Sequence, residues 1–159
     1  MINGTEITLD KTDLSILRLM QGNARITNAD IARELEMAPS AVLERVKKLE
    51  QKQVILQYTA RINPVAVNQK LLAFISMKSS EGMGSNNTAK ELAKIPEVQE
   101  VHHIAGEDCY LVKVRTADSA SLMHLMRNTF SRIPNILSTR TTIVLETVKE
   151  EQQLVIPEK

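Results

Sequence analysis

The hydrophobic periodicity of the chain changes once, near residue 57, and this change constrains the fold more than any other feature. Before it, apolar residues recur at the three- and four-residue spacing of a helix face. After it, alternating segments typical of strands are separated by helical ones. The 159 residues suffice for two small domains. We therefore predict a helical domain at 1–54, a hinge strand or linker at 55–69 and a mixed domain at 70–159.

Residues 9–53 predict three helices. Asp10 and Thr27 are suitable N-cap residues for the first two, because their side-chain oxygens can accept from the unpaired amides of a first turn. Pro39 suits the first turn of the third helix, although Ala38 before it is a poor cap. In "IARELEMAPSAVLERVKKLE" (31–50) the second helix ends and the third begins within a few residues. This arrangement is typical of a helix-turn-helix, whose second helix fits the major groove of DNA.

The third helix has two different faces. Val42, Val46 and Leu49 form an inward stripe, whereas polar and basic residues point the other way. Hydroxyl and carboxylate groups there can meet base edges, and cationic side chains can reach phosphates. The predicted DNA-contacting residues are Asn28, Ser40, Leu43, Glu44, Arg45, Lys47, Lys48 and Lys52.

Charge alone does not indicate a polyanion as partner. The whole chain carries a net charge of +1, whereas segment 45–52, "RVKKLEQK", is locally basic. Because short helical pairs also serve only to pack against each other, the residues by themselves leave both DNA binding and a structural role open. The local geometry of the helix-turn-helix, and not the net charge, predicts double-stranded DNA as a partner.

The second half predicts the order βαββαβ: strand 71–78, helix 87–95, strand 98–105, strand 109–115, helix 118–131 and strand 138–148. Such an order gives an antiparallel sheet with both helices on one face, so that the chain as a whole is an α+β protein. "LQYTARIN" (56–63) is predicted to be a connecting strand, and the Gly- and Ser-rich 79–87 a mobile loop.

The first and last predicted strands of this domain carry apolar residues on both faces. Helices cover only one face of such a sheet, so the other needs a second cover. A second copy of the same sheet is the simplest one, and we therefore predict a homodimer. The alternative is that the helical segment of the same chain covers this face.

Other kinds of chemistry find little support. His102 and His103 are neighbours on a predicted strand, so they point to opposite faces and cannot chelate one metal together. Cys109 is the only cysteine, and no nucleophile, phosphate-binding or metalloprotease motif occurs. No membrane span or signal peptide is evident. We therefore predict a cytoplasmic protein that is not an enzyme and has no metal, cofactor or membrane partner.

Four segments occur in a characteristic order: "LDKTDLSILRLMQGNARITNADIARELEMAPSAVLERVKKLEQKQVIL", "YTARINP", "GEDCYLVKV" and "TRTTIVLETVKE". Together they resemble the Lrp/AsnC (feast/famine) family of transcription regulators over about residues 9–157. The resemblance implies an N-terminal winged helix-turn-helix, a hinge strand and a C-terminal ferredoxin-like βαββαβ sensing domain. It also implies dimers that often assemble further into octamers, and an effector that is usually an amino acid.

The chain departs from the family pattern at three positions. Glu36 stands where a glycine commonly closes the second helix, and Ala38 where a serine commonly caps the third. Cys109 replaces the acid of the usual Gly-x-x-Asp sensing turn, which here reads Gly106-Glu107-Asp108-Cys109. The third departure concerns the identity of the effector.

The effector site is predicted at this turn and the final strand. Gly106 lets a ligand carboxylate approach the backbone amides, and Glu107 or Asp108 can hold an ammonium group. From the residues alone, an ordinary hairpin turn explains the same pattern. The predicted effector-binding residues are His103, Ile104, Ala105, Gly106, Glu107, Asp108, Cys109, Ser138, Thr139 and Thr141.

Two other functions stay open beside a regulator that responds to a small molecule. Sirohaem decarboxylases resemble this family, and they would place a tetrapyrrole near His102, His103, Arg115 and Arg140. A ligand-responsive partner protein that has lost DNA binding is the other. The basic edge of the third helix favours the regulator, because an enzyme has no need of it.

Overall fold

The computed structural model describes residues 7–82 and 84–158. The chain forms two compact units, which we describe separately. One is helical; it runs to Arg61 and includes the segment that begins at Glu150, whereas Ile62–Lys149 forms the other. The sequence analysis assigns the segment from Glu150 to the second domain, whereas it groups here with the helical unit. Residues 1–6, which begin the predicted helical domain, lie outside the described residues. No helix within the described ranges is long and apolar enough to cross a membrane.

The helical unit contains α1 (Lys11–Gly22), α2 (Asn28–Glu34) and α3 (Pro39–Gln51). The predicted caps are present, since Asp10 accepts from the Asp13 amide in a capping box and Thr27 accepts from the Asp30 amide. One side chain from each helix is fully buried at the centre of the unit. These residues are Ile16, Ile31 and Val42.

The turn between α2 and α3 contains a strained residue. Glu36 has a φ of 52°, in the left-handed region that glycine adopts without steric cost. The Met37 amide donates to the Ala32 carbonyl at 2.8 Å, which closes α2. Ala38 makes no side-chain cap bond. Two of the three departures noted in the sequence, Glu36 and Ala38, therefore lie in this turn.

Replacing Glu36 by glycine is expected to raise the free energy of unfolding of the helical unit by about 1 kcal/mol, because it removes the left-handed strain. Glu34→Gly is the matched control; Glu34 is the last residue of α2, and its replacement should lower the same quantity by up to about 1 kcal/mol. Urea unfolding followed by far-ultraviolet circular dichroism measures both. Equal destabilisation by the two changes would contradict the assigned strain.

The connecting strand predicted over 56–63 does not form: this segment has no regular secondary structure. A strand needs a partner for its backbone hydrogen bonds, and no strand lies beside this segment within the helical unit. Two of its apolar side chains, Leu56 and Ile62, are largely exposed. The alternating pattern of the segment therefore pairs with no strand in the ranges 7–82 and 84–158.

The second unit has the predicted βαββαβ order. Its elements are β1 (Leu71–Ser79), α4 (Asn87–Leu92), β2 (Val98–His103), β3 (Tyr110–Thr116), α5 (Ser119–Asn128), a 3₁₀ turn (Phe130–Arg132) and β4 (Ile136–Ile143). The antiparallel sheet has the strand order β2-β3-β1-β4. α4 packs against β2 and α5 against β3. The predicted fold class is confirmed.

Two elements are shorter than predicted for clear reasons. α4 ends at Leu92 rather than at residue 95: the Lys94 and Ile95 amides donate to the carbonyls three residues earlier, and Pro96 disfavours helical backbone at Ile95. β4 ends at Ile143 rather than at residue 148, because it pairs with the beginning of β1, where Ala73 faces Ile143. Beyond that point β1 offers only one more hydrogen bond, to the Val144 amide.

The two faces of the sheet differ in cover. The helix-side face carries Ala73, Ile75 and Met77 of β1, all fully buried in the core. We call the opposite face the outer face; Phe74 and Ser76 of β1 lie on it and are half-buried. On β4, Thr139, Thr141 and Ile143 of the helix-side face are exposed, because α4 and α5 pack over β2 and β3; only Ile136 at its start packs against the core.

Candidate DNA and effector sites

The polar face of α3 is accessible, as predicted. Val42, Val46 and Leu49 are at most 6% exposed, so the helix is fixed in rotation by its inward stripe. The residues predicted to point away from this stripe are exposed; they are Ser40, Leu43, Glu44, Lys47 and Lys48. Lys52, just after the helix, is exposed as well. One surface therefore presents a hydroxyl, a carboxylate and several ammonium groups.

Arg45 has partners that the sequence did not indicate. Its Nη1 atom lies 2.7 Å from Oδ2 of Asp10 and 2.8 Å from Oδ1 of Asp13. A backbone hydrogen bond from Asp13, together with the bond from Arg45, holds the pKa of Asp10 below its ordinary value. Arg45 was predicted to reach a phosphate, whereas this geometry commits its guanidinium to joining α3 with the start of α1.

The predicted DNA-contacting residues divide between two grooves along α3. Glu44, Arg45, Lys48 and Lys52 line one. Asn28, Leu43 and Lys47 line the other, which also contains Tyr58 from the segment after α3. Ser40, at the first turn of α3, does not line either groove.

Tyr58 fixes the chain that leaves α3. Its hydroxyl donates to Oε1 of Glu50 at 2.8 Å. Burial of the ring and this bond to a carboxylate raise the pKa of Tyr58 to about 12. The tyrosine is therefore neutral at physiological pH. It holds the first residues of the linker against the C-terminal half of α3.

The predicted sensing turn is a tight connection between β2 and β3. The Ile104 amide donates to the Cys109 carbonyl at 2.9 Å, and the Cys109 amide donates to the Met77 carbonyl of β1 at 2.8 Å. Gly106 has a φ of 147°, which side chains rarely allow. The tip residues Ala105, Gly106 and Glu107 are exposed.

Asp108 joins this turn to the last strand. Its Oδ2 atom lies 2.7 Å from Nη2 of Arg140 on β4. The Asp108 side chain is 24% exposed, whereas that of Arg140 is 76% exposed. Sequence reasoning placed Arg140 only with the tetrapyrrole alternative. The strand alternation from Ser138 could have indicated it, since Ser138 and Arg140 share a face.

The sheet separates the other predicted effector residues. Ser138 and Arg140 pair with Lys78 and Ser76 and lie on the outer face. Thr139 and Thr141 pair with Met77 and Ile75, so they lie on the helix-side face. His103 is also on that side, where its ring centroid is 5.0 Å from that of Tyr110. Of the predicted strand hydroxyls, only Ser138 therefore shares the face of Arg140.

The loop predicted to be mobile is anchored by Glu81. Its carboxylate accepts from the Thr88 amide at 3.1 Å, from the Ser85 hydroxyl at 3.1 Å and from the Tyr110 hydroxyl at 3.4 Å. Partial burial opposes ionisation, but these bonds outweigh it and lower the pKa of Glu81. The prediction from composition missed the contact between this loop acid and the first turn of α4. Met83 of the loop lies outside the described residues.

The two histidines on β2 are separated as predicted. His102 lies on the outer face with its Nε2 atom 3.1 Å from Glu100, which also accepts from Lys113 at 3.2 Å. The bond from His102, followed by that from Lys113, keeps the pKa of Glu100 low. In the part of the chain that the structure describes, no group of three or more His, Cys, Asp or Glu residues could hold a metal ion.

Two family models match the chain. The model for a winged helix-turn-helix DNA-binding domain matches residues 9–55, and the model for the Lrp/AsnC ligand binding domain matches residues 71–154. The boundary between the two matches falls in the linker after α3. Together they cover all the helices and strands described above.

Individual relatives agree with these matches. The leucine-responsive regulatory protein of Escherichia coli K12 is 36% identical over 152 residues, covering 93% of this chain and 92% of its own. A transcriptional regulator of Neisseria meningitidis, solved with L-methionine, has 31% identity and a TM-score of 0.86 over 93% of this chain and 97% of its own. A feast or famine regulatory protein of M. tuberculosis, also complexed with L-methionine, has 33% identity and a TM-score of 0.86 over 94% of this chain and 100% of its own. The chain belongs to the Lrp/AsnC family of transcriptional regulators, with a winged helix-turn-helix for DNA and a second domain for a ligand.

Proposed function

We propose that the protein regulates transcription by inserting α3 into the major groove of double-stranded DNA. The exposed polar and basic face of α3, held outward by its buried stripe, is the observation that carries this proposal. Ser40 and Glu44 contact base edges, whereas Lys47, Lys48 and Lys52 contact phosphates. Arg45 stabilises the position of α3 through its ion pairs with Asp10 and Asp13. The protein acts in the cytoplasm, where its DNA is.

The effector is an amino acid, bound at the turn that carries Asp108. Two similar structures contain L-methionine, which supports this class of ligand. The pair Asp108–Arg140 offers one negative and one positive group at the end of the sheet, and Gly106 leaves the nearby backbone open. A zwitterion can replace both halves of that pair. Cys109 in place of an acid favours a less polar or larger side chain on the ligand.

The protein works as a homodimer that assembles further into octamers, as the resemblance to this family implies. The outer face of the sheet supports this proposal, because the half-buried Phe74 and Leu111 lie on it at adjacent strands. A second copy of the face would bury them. Segment 56–63 gives a second surface for pairing between copies, because its backbone pairs with no strand among the described residues.

The tetrapyrrole enzyme has no observation in its favour. His102, Arg115 and Arg140 lie on the outer face, but His103 lies on the helix-side face against Tyr110. The four residues therefore do not converge on one ligand. The relatives named above are described as regulators. The regulator is the function that the geometry favours, and it needs no catalytic residue.

Calorimetry with the twenty amino acids tests the effector site. At least one is expected to bind, and Asp108→Ala should abolish its binding, because the ammonium group loses its carboxylate partner. Glu107→Ala, on the exposed neighbour, is the matched control and should leave binding nearly unchanged. Gly106→Val should also abolish binding, although its φ of 147° makes the substitution strained without any ligand.

The same variants are then tested for binding to genomic DNA fragments, with and without the bound amino acid. Asp108→Ala should bind DNA as the parent does in the absence of effector and no longer respond to it. The effector proposal fails if no amino acid binds, or if the one that binds is indifferent to Asp108→Ala. The DNA-binding proposal fails separately if the parent protein retains no DNA fragment at low salt.

A further inference from the structure

The end of the chain is bound to α1 through its backbone. Gln21 donates from Nε2 to the Leu154 carbonyl at 2.7 Å and accepts the Leu154 amide with Oε1 at 2.9 Å. In return Gln153 donates to the Gln21 carbonyl at 3.3 Å, and Arg18 donates to the Pro157 carbonyl. The side chain of one glutamine thus satisfies both backbone groups of one residue, which requires a particular orientation of the segment.

Apolar burial does not explain this contact. Leu154 is 76% exposed and Val155 is 98% exposed, and only Ile156 beside them is half-buried, so hydrogen bonds and not these two large side chains hold the segment at Gln21. A segment that only filled the hydrophobic core would show the opposite pattern. The contact at Arg18 and Gln21 therefore specifies where the segment lies on α1 and adds little to the core.

The chain passes between the two units twice, after Arg61 and before Glu150. A body held by one flexible connection samples many orientations, and a second connection reduces them. We propose that Arg18 and Gln21 are positioning residues that restrict the orientation of α3 by holding 150–157 on α1, and thereby determine which half-site spacing the dimer accepts. This inference rests on the proposed homodimer, because a spacing exists only for two recognition helices.

The test uses full-length variants on both sides of the contact. Gln21→Leu removes the amide at similar size, and Leu154→Pro removes the backbone N–H that Gln21 accepts. The controls are Gln152→Leu, on an exposed neighbour in the same segment, and Leu154→Ala, which keeps the N–H. The preferred site is first selected from random DNA with the parent. Affinities are then measured for a single half-site and for a series whose half-sites move apart one base pair at a time through a full helical turn.

We expect the parent to bind its preferred half-site spacing more tightly than the other spacings, and this ratio of affinities to fall at least about threefold in both test variants. A looser connection lowers the effective concentration of the second recognition helix at its half-site. The controls should keep it. Affinity for a single half-site should be unchanged in all four, which a merely structural defect would not allow. Identical spacing profiles for the parent and both test variants would overturn the inference. A parent with no spacing preference overturns it too, and light scattering then shows whether the dimer itself is absent.

Discussion

Replacing Lys47 or Lys48 by alanine is expected to weaken binding to every DNA sequence by a similar factor. Both ammonium groups are exposed on α3, and both belong to the face that its buried stripe turns outward. Contacts to phosphate carry affinity without reading the sequence. The loss should therefore be the same for the preferred site and for random DNA, as measured by fluorescence anisotropy at several salt concentrations.

The salt dependence gives the size of this effect. Each phosphate contact contributes about 0.9 to the slope of log K against log salt, and one substitution in a homodimer removes two contacts, so the slope should fall by about 1.8. Ser40→Ala and Glu44→Ala are the counterparts on the same helix. They should change which sequence is preferred and leave the slope alone, because base-edge contacts release few counterions. If both lysine variants keep the slope of the parent, another element lies in the groove.

The face of α3 was predictable because it depends on local periodicity alone. Val42, Val46 and Leu49 fix the rotation of the helix, and every residue between them then has a known direction. The partners of Arg45 were not predictable in this way. Asp10 lies 35 residues away, and only the packing of α3 beside α1 brings the two together. A basic residue near the recognition face was thus predicted for DNA, whereas the fold pairs it with acids.

The effector site shows the same division. Alternation correctly separated His102 from His103, because neighbours on a strand point to opposite faces. The predicted site nevertheless combined Ser138 with Thr139, which alternation should have separated. The contact between Asp108 and Arg140 depends on the order of the strands, which sets the distance from the turn to β4. Strand order is a property of the whole sheet and is not contained in any single segment.

The contact of the C-terminal segment with α1 was not predictable for a related reason. Residues after Ile143 continue the apolar alternation of β4, so the sequence predicted a longer strand there. Pairing stops near the beginning of β1, where Ala73 faces Ile143 and the Leu72 carbonyl accepts from the Val144 amide. Further along, Leu154 is hydrogen-bonded to Gln21, more than one hundred residues earlier. A polar glutamine on a helix surface gives no signal of such a contact in the sequence.

Substitutions on neighbouring residues of β1 should separate folding from assembly, and they have the second large expected effect. Ile75 is fully buried on the helix-side face, so Ile75→Asp places a carboxylate in the core. The cost of about 4 kcal/mol or more is a large part of the stability of a small domain, and the second unit should unfold. Phe74, one residue earlier, is half-buried on the outer face. Phe74→Asp should leave the fold intact and yield a monomer.

The sequence pattern suggested Ile143→Asp as an equal test of assembly, and the structure changes that expectation. Ile143 pairs with Ala73, lies on the helix-side face and is 46% exposed at the edge of the sheet. The Ile143→Asp variant therefore serves as a control. It should fold and remain dimeric through the outer face. Sedimentation velocity at micromolar concentration reports the mass, and urea unfolding reports the stability of each variant. A parent protein that sediments as a stable monomer, or a Phe74→Asp variant as dimeric as the parent, would show that the outer face of the sheet is not the surface that joins two copies.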